Sequence, residues 1–172
     1  MLNLAGTMKS HFFPQSLGGK MTVRVQEHDF DVNAELAALT VGQHNVGGIV
    51  SFIGLVRDFG DLESVASMTL EHYPGMTEKI LDKIDSEAVK RWNLSSSLII
   101  HRYGYLEPGD RIVLVAAASE HRVSAFNACE FLVDWLKTKA PFWKLEEGNG
   151  NAKWVAARMD DKAASARWSA KK

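Results

Sequence analysis

The sequence predicts an α+β fold in which helices cover an antiparallel or mixed sheet. Three observations carry this. Strand and helix periodicities alternate along the chain in the order β-α-β-β-α-β-β-α-β-β. Several strands come in adjacent pairs around short turn signals, and such hairpins argue against an all-parallel sheet. One nearly unbroken apolar strand, 112–118, runs directly into the most clearly helical stretch of the chain.

Residues 22–27 alternate Val23 and Val25 with polar neighbours, the pattern of a short strand. Asp31 can cap a helix over 32–39, with Leu36 and Leu39 facing in. Gly47 and Gly48 precede an apolar strand over 49–54. The chain then enters a loop, 55–61, with Arg57 at its mouth and glycines that admit a ligand to the backbone. A solvated Arg57 paired with Asp58 is the plain alternative. Residues 65–73 alternate as a strand whose apolar face His72 continues. Pro74 then precedes a helix to about Trp92, with Met76, Ile80, Ile84, Ala88 and Trp92 facing in. Its other face, with Lys79, Asp82, Lys83, Asp85, Glu87 and Lys90, reads as solvated. Strands 97–105 and 111–118 form a hairpin across Pro108-Gly109-Asp110, with His101 and Arg102 as structural polar positions. A second hairpin turns at 148–151 and continues through 152–157.

The stretch 119–144 organises the rest. Val123, Phe126, Cys129, Leu132, Val133 and Leu136 recur at spacings of three and four, one apolar stripe of a helix. Ser119 can serve as N-cap with Glu120 in the first turn, and Pro141 ends the helix. Lys137 and Lys139 in the last turn suit the helix dipole. Lys137 and Lys144, however, straddle Pro141-Phe142-Trp143, so a turn brings two ammonium groups towards one point beside two aromatic rings. Neighbouring like charge and burial lower a lysine pKa, which makes a base or nucleophile. His121 and Arg122 stand where a central strand becomes a helix, a usual place for ligand contacts. Arg122 and Lys137 lie 15 residues apart on one helix, roughly 22 Å. One chain cannot close both ends on one small molecule. An antiparallel two-fold pairing would bring His121 and Arg122 of one copy to the lysines of another, giving a homodimer with composite sites.

Length sets further bounds. The 172 residues suit a single domain, read here as 21–158. Residues 1–20 lack periodicity and read as a disordered extension, and 159–172 as a charged, Ala-rich tail with a short helix. A net charge of −1 and a pI of about 6.6 argue against a nucleic-acid binder. No apolar run approaches the ~20 residues of a membrane span, so cytoplasm is expected. The single cysteine excludes a disulfide framework and a Cys-rich zinc site, and Cys129 reads as a small buried hydrophobe. No phosphate loop, dinucleotide fingerprint, metalloprotease motif or nucleophile elbow occurs. Neither a metal nor a cofactor is expected.

Five segments together resemble one family. They are Gly-Leu-Val-Arg (54–57), Leu-Glu-His-Tyr-Pro-Gly-Met (70–76), the run 101–110, Ser-Glu-His-Arg-Val-Ser-Ala-Phe (119–126) and Lys-Thr-Lys-Ala-Pro-Phe-Trp-Lys (137–144). The match spans about 22–158 and is similar to the large, catalytic subunit of molybdopterin synthase. Lys139 stands where relatives often carry arginine, and Leu55 where a polar residue is also seen. The resemblance implies an α/β hammerhead-type fold and a homodimer at the centre of a heterotetramer. It implies a small ubiquitin-like sulfur-carrier subunit ending in a Gly-Gly thiocarboxylate. Two sulfurs would pass from carriers to cyclic pyranopterin monophosphate, giving the molybdopterin dithiolene. By resemblance Leu55, Val56, Arg57, His121 and Arg122 line the pocket. Lys137 leads the catalytic residues, with Lys144, Leu145 and Glu146 beside it. Arg57, His121 and Arg122 would hold phosphate. Lys137 and Lys144 would bind the thiocarboxylate and protonate leaving oxygens, a transient covalent link at Lys137 being the lesser alternative. The competing class is a non-enzymatic dimeric module for a phosphorylated ligand or protein tail. An RNA-associated domain would need a continuous basic face.

Overall fold

One glycine divides the molecule between two sheets. The structure is a computed structural model describing residues 20–58, 65–148, 150–155 and 165–168. Its elements are β1 (Lys20–Gln26), α1 (Val32–Leu39), β2 (Gly48–Leu55), β3 (Ser67–His72), α2 (Met76–Trp92), β4 (Ser96–Arg102), β5 (Gly104–Leu106), β6 (Arg111–Ser119), α3 (Arg122–Lys139), β7 (Phe142–Gly148) and β8 (Asn151–Val155). The stretch expected as one strand over 97–105 breaks at Gly104, whose φ of +84° is open to glycine and strained for other residues. Before the break β4 pairs with β6; after it β5 pairs with β3 in the second sheet.

The first sheet has the order β1-β4-β6-β2, with β1 parallel to β4 and the other pairs antiparallel. The second, β5-β3-β7-β8, is antiparallel throughout. This is the α+β arrangement with a mixed sheet that the periodicities predict. Side chains alternate across β4, so Ile99 meets the α2–α3 layer with Leu81, Ala88, Val115, Phe131 and Leu132. Leu98 and Ile100 meet the opposite layer with Phe30, Leu39 and Leu114. Both faces are covered, which explains the continuous apolar runs of β4 and β6. Asp31 caps α1 as expected, its Oδ1 accepting from the Asn33 and Ala34 amides at 2.9 and 3.1 Å.

Three local readings need correction. Ser119 ends β6 instead of capping α3; His121 is the N-cap and its amide donates to Ser119 Oγ at 3.4 Å. Glu120 therefore precedes the helix. The inward face of α3 is Ala125, Ala128, Cys129, Phe131, Leu132 and Leu136, leaving Val123 and Phe126 63% and 62% exposed. Small Ala125 and Ala128 let this part of the helix approach the sheet closely, and Val123 and Phe126 turn away. On α2, Asp85 is fully buried beside Leu81, Ile84 and Ala88 and is not part of a solvated face. Desolvation raises its carboxyl pKa to about 6.

Residues 165–168 form a helical turn that returns to the main core. Trp168 packs edge-on against Trp92 and Phe131, and its Nε1 donates to Asp134 Oδ2 at 2.7 Å. Lys20, expected as the last residue of the extension, begins β1. Residues 1–19 of that extension, loop residues Phe59, Gly60 and Asp61, Asn149 of the hairpin turn, residues 156 and 157 of its second strand, and tail segments 159–164 and 169–172 lie outside the described residues.

Candidate active site

The site is built from the end of α3 and the strand that follows it. Lys137 is exposed in the last turn of α3, and Ala140 closes the helix in an extended conformation. The Phe142 amide donates back to the Ala140 carbonyl at 2.9 Å, which turns the chain into β7. Phe142 and Trp143, expected in a turn, thus lie with Lys144 in a strand.

Strand period two places Phe142, Lys144 and Glu146 on one face of β7, and Trp143 and Leu145 on the other. Lys144 stands opposite Leu70 and Glu146 opposite Met68. Glu146 is only 2% exposed, and its Oε1 accepts from Lys144 Nζ at 2.8 Å. A buried carboxylate needs a charged or hydrogen-bonding partner, so this pair fixes where the ammonium points. Leu145 lies across from Thr69 and Trp154 on the far face.

The Leu55–Arg57 segment reaches the same cluster by a different route. The register slips between Gly54 and Leu55, where a Cβ on Gly54 would sit 2.7 Å from Val113 Cγ1. Val56 is then held on both sides: its amide donates to the Asp110 carbonyl and its carbonyl accepts from Gly109, each at 2.9 Å. Its side chain is buried with Met68, Leu70 and Leu106, the residues on the Lys144–Glu146 side of the second sheet. Arg57 is exposed at the end of this anchor and Leu55 is 54% exposed. The 108–110 turn, read from sequence only as a hairpin signal, is what secures the Arg57 loop.

His121 and Arg122 sit at the other end of α3. That helix is continuous from Arg122 to Lys139, so roughly 22 Å separates Arg122 from Lys137. The structure therefore groups Val56, Arg57, Lys144 and Glu146 around the second sheet and keeps His121 and Arg122 apart from the lysines within one chain. The His121 ring is exposed, with Nε2 3.9 Å from Glu120 Oε1. Gly47 fixes this corner: its amide donates to the Ser119 carbonyl at 3.0 Å, and a Cβ there would lie 2.2 Å from the Glu120 carbonyl oxygen. Cys129 takes no part. It is 4% exposed, and burial pushes its thiol up to about 11, far from a usable thiolate. No cluster of metal-ligating side chains exists among the described residues. An open cleft of about 470 Å³, lined by the paired Asp29 and Arg111, contains none of these residues.

Comparison with known proteins gives a consistent answer. A family model described as MoaE protein matches residues 25–139. A molybdopterin synthase catalytic subunit from Ralstonia nicotianae is 56% identical over 147 residues, covering 86% of this chain and 84% of the relative. One from Pseudomonas aeruginosa is 52% identical over 148 residues, covering 86% and 99%. Among solved structures, a molybdopterin biosynthesis MoaE protein from Burkholderia ambifaria superposes with a TM-score of 0.75 at 50% identity, covering 88% of this chain and 99% of that one. The lysine-bearing helix end, the buried acid behind it and these matches lead to one conclusion: the chain belongs to the MoaE family, the catalytic subunits of molybdopterin synthase.

Proposed function

We propose that this chain moves two sulfurs, in successive steps, from the thiocarboxylated Gly-Gly C-terminus of a small ubiquitin-like carrier onto cyclic pyranopterin monophosphate. The product is the dithiolene of molybdopterin. The observation that carries the reading is the Lys137–Lys144 segment, with Lys144 aimed by a buried Glu146, in a chain 56% identical to a molybdopterin synthase catalytic subunit. The two ammonium groups hold the incoming thiocarboxylate and protonate the oxygens that leave the pterin. Arg57, His121 and Arg122 hold the cyclic phosphate through charge-assisted hydrogen bonds.

A second copy supplies the missing end. β2 is an edge strand of the first sheet and exposes Ile49, Phe52, Ile53 and Leu55. Val123 and Phe126 are exposed on α3, which packs against β2. Six large apolar side chains on adjoining elements favour burial against another surface. A two-fold pairing through them accounts for His121 and Arg122 reaching the partner's lysines. Two copies form the centre and each receives one carrier, giving a heterotetramer. None of the described helices is long and apolar enough to cross a membrane, and the reaction is assigned to the cytoplasm.

The test is reconstitution. The protein is mixed with thiocarboxylated carrier and cyclic pyranopterin monophosphate, and dithiolene is measured. Product from the wild type and none from Lys137→Ala supports the assignment; a wild type that forms no product contradicts it.

A further inference from the structure

Between Lys137 and Lys144 one described side chain is clamped from outside its own segment. The Phe142 ring stacks on His101 of β4 with centroids 3.8 Å apart and planes 16° apart. His72, its cross-strand partner, lies 6.1 Å from it and in turn packs at 4.5 Å against Tyr103. Trp143 faces the other way and is 49% exposed. Phe142 also starts the alternation that puts Lys144 on the inner face, and it follows the helix end that carries Lys137 by two residues past Ala140. The stack joins the first sheet to the second at this point.

We infer that His101 is a positioning residue for sulfur transfer: stacked on Phe142, it sets the direction in which Lys144 leaves β7 and Lys137 leaves α3. The inference rests on the role proposed above for those lysines. His101 does two separable things. Its Nδ1 lies 2.8 Å from the Arg102 carbonyl, which can only accept, so Nδ1 carries the proton. That bond ties down the corner just before Gly104. The ring face independently holds Phe142. Burial pushes its pKa down to about 4, with His72 adding to the effect, so a neutral ring stacks on Phe142.

The two roles call for two variants. His101→Asn can keep a donor for the Arg102 carbonyl and loses the ring. His101→Phe keeps a ring and loses the donor. A small misplacement of a catalytic group costs roughly tenfold to a hundredfold in rate. His101→Asn is therefore expected to lose kcat by that amount with KM for the thiocarboxylated carrier unchanged. His101→Phe is expected to stay within about threefold of wild-type kcat by the same positioning argument, even with a lowered Tm. Equal loss in both variants, or wild-type kcat in a folded His101→Asn protein, overturns the inference. Should His101→Asn not fold, Phe142→Leu against Phe142→Tyr makes the same comparison from the other side of the stack. A second readout needs no turnover. In protein whose lysines are ¹³C-methylated, the Lys144 resonance is expected to shift in His101→Asn and not in His101→Phe; an unmoved resonance in both refutes the positioning role. A wild type that made no dithiolene would sink the functional assignment and leave this readout intact.

Discussion

Lys144 is the residue whose environment says most about chemistry. Its partner Glu146 is buried while Lys144 itself is about one-third exposed, so the pair holds a cation at the boundary of the core. Replacing Lys144 with Ala removes a charged partner from a buried acid. Unfolding by denaturant should show a loss of about 1.5–3 kcal/mol, the usual contribution of a hydrogen bond to a charged group. Adding Glu146→Gln should restore part of that stability and none of the turnover. Loss of Lys137 should lower turnover about 10²–10⁴-fold, the range for a positioned acid or base, with little change in stability because the side chain is exposed. Cys129→Ala should retain sulfur transfer, since its thiol is pushed up to about 11 and lies in the core. Assay of that variant with thiocarboxylated carrier checks this; a loss of turnover in a folded protein would return a nucleophile to the mechanism.

At the scale of elements, α2 carries an acid that burial penalises. The folded-state pKa of Asp85, about 6, exceeds its ordinary value of 3.8, so the folded protein keeps a proton that the unfolded chain releases. Stability from this group is present below about pH 4 and is lost as pH rises to about 6. The full penalty, about 3 kcal/mol, applies above that. Asp85→Asn should therefore raise stability at pH 8 and flatten the pH 4–6 slope in denaturant titrations; an unchanged slope would assign it to another group. The same helix shows where sequence reading stops. Alternation marked β1, β3 and the apolar β6, Asp31 marked the start of α1, and Pro141 marked the end of α3, because each is a local preference. Which of two adjacent lines of α2 and α3 faces the sheet depends on how closely a helix can approach it, and Ala125 and Ala128 settle that only through tertiary packing. The departure of the chain at Gly104 is likewise invisible locally, since Tyr-Gly-Tyr fits a continuous strand until a second sheet competes for it. Motifs reveal the candidate residues Arg57, His121, Lys137 and Lys144. The anchoring of Val56 by the 108–110 turn and the His101–Phe142 stack join segments distant in sequence, which no spacing rule reports.

The whole molecule presents two cationic ends that a straight helix holds apart. The proposed dimer resolves this, and its seam is the apolar surface of β2 and α3. A charge placed there, as in Phe126→Asp, should dissociate the dimer in sedimentation and abolish turnover while each monomer stays folded. An active monomer would contradict a shared site. The most direct measurement mixes two variants, Lys137→Ala and Arg122→Ala, each expected to be inactive alone. In a mixed dimer one site regains both wild-type ends and the other has neither. Random exchange should therefore restore about a quarter of wild-type dithiolene formation, as the symmetry of a two-site dimer requires. No activity from dimers shown to be mixed would mean that the two ends of α3 never meet in one site.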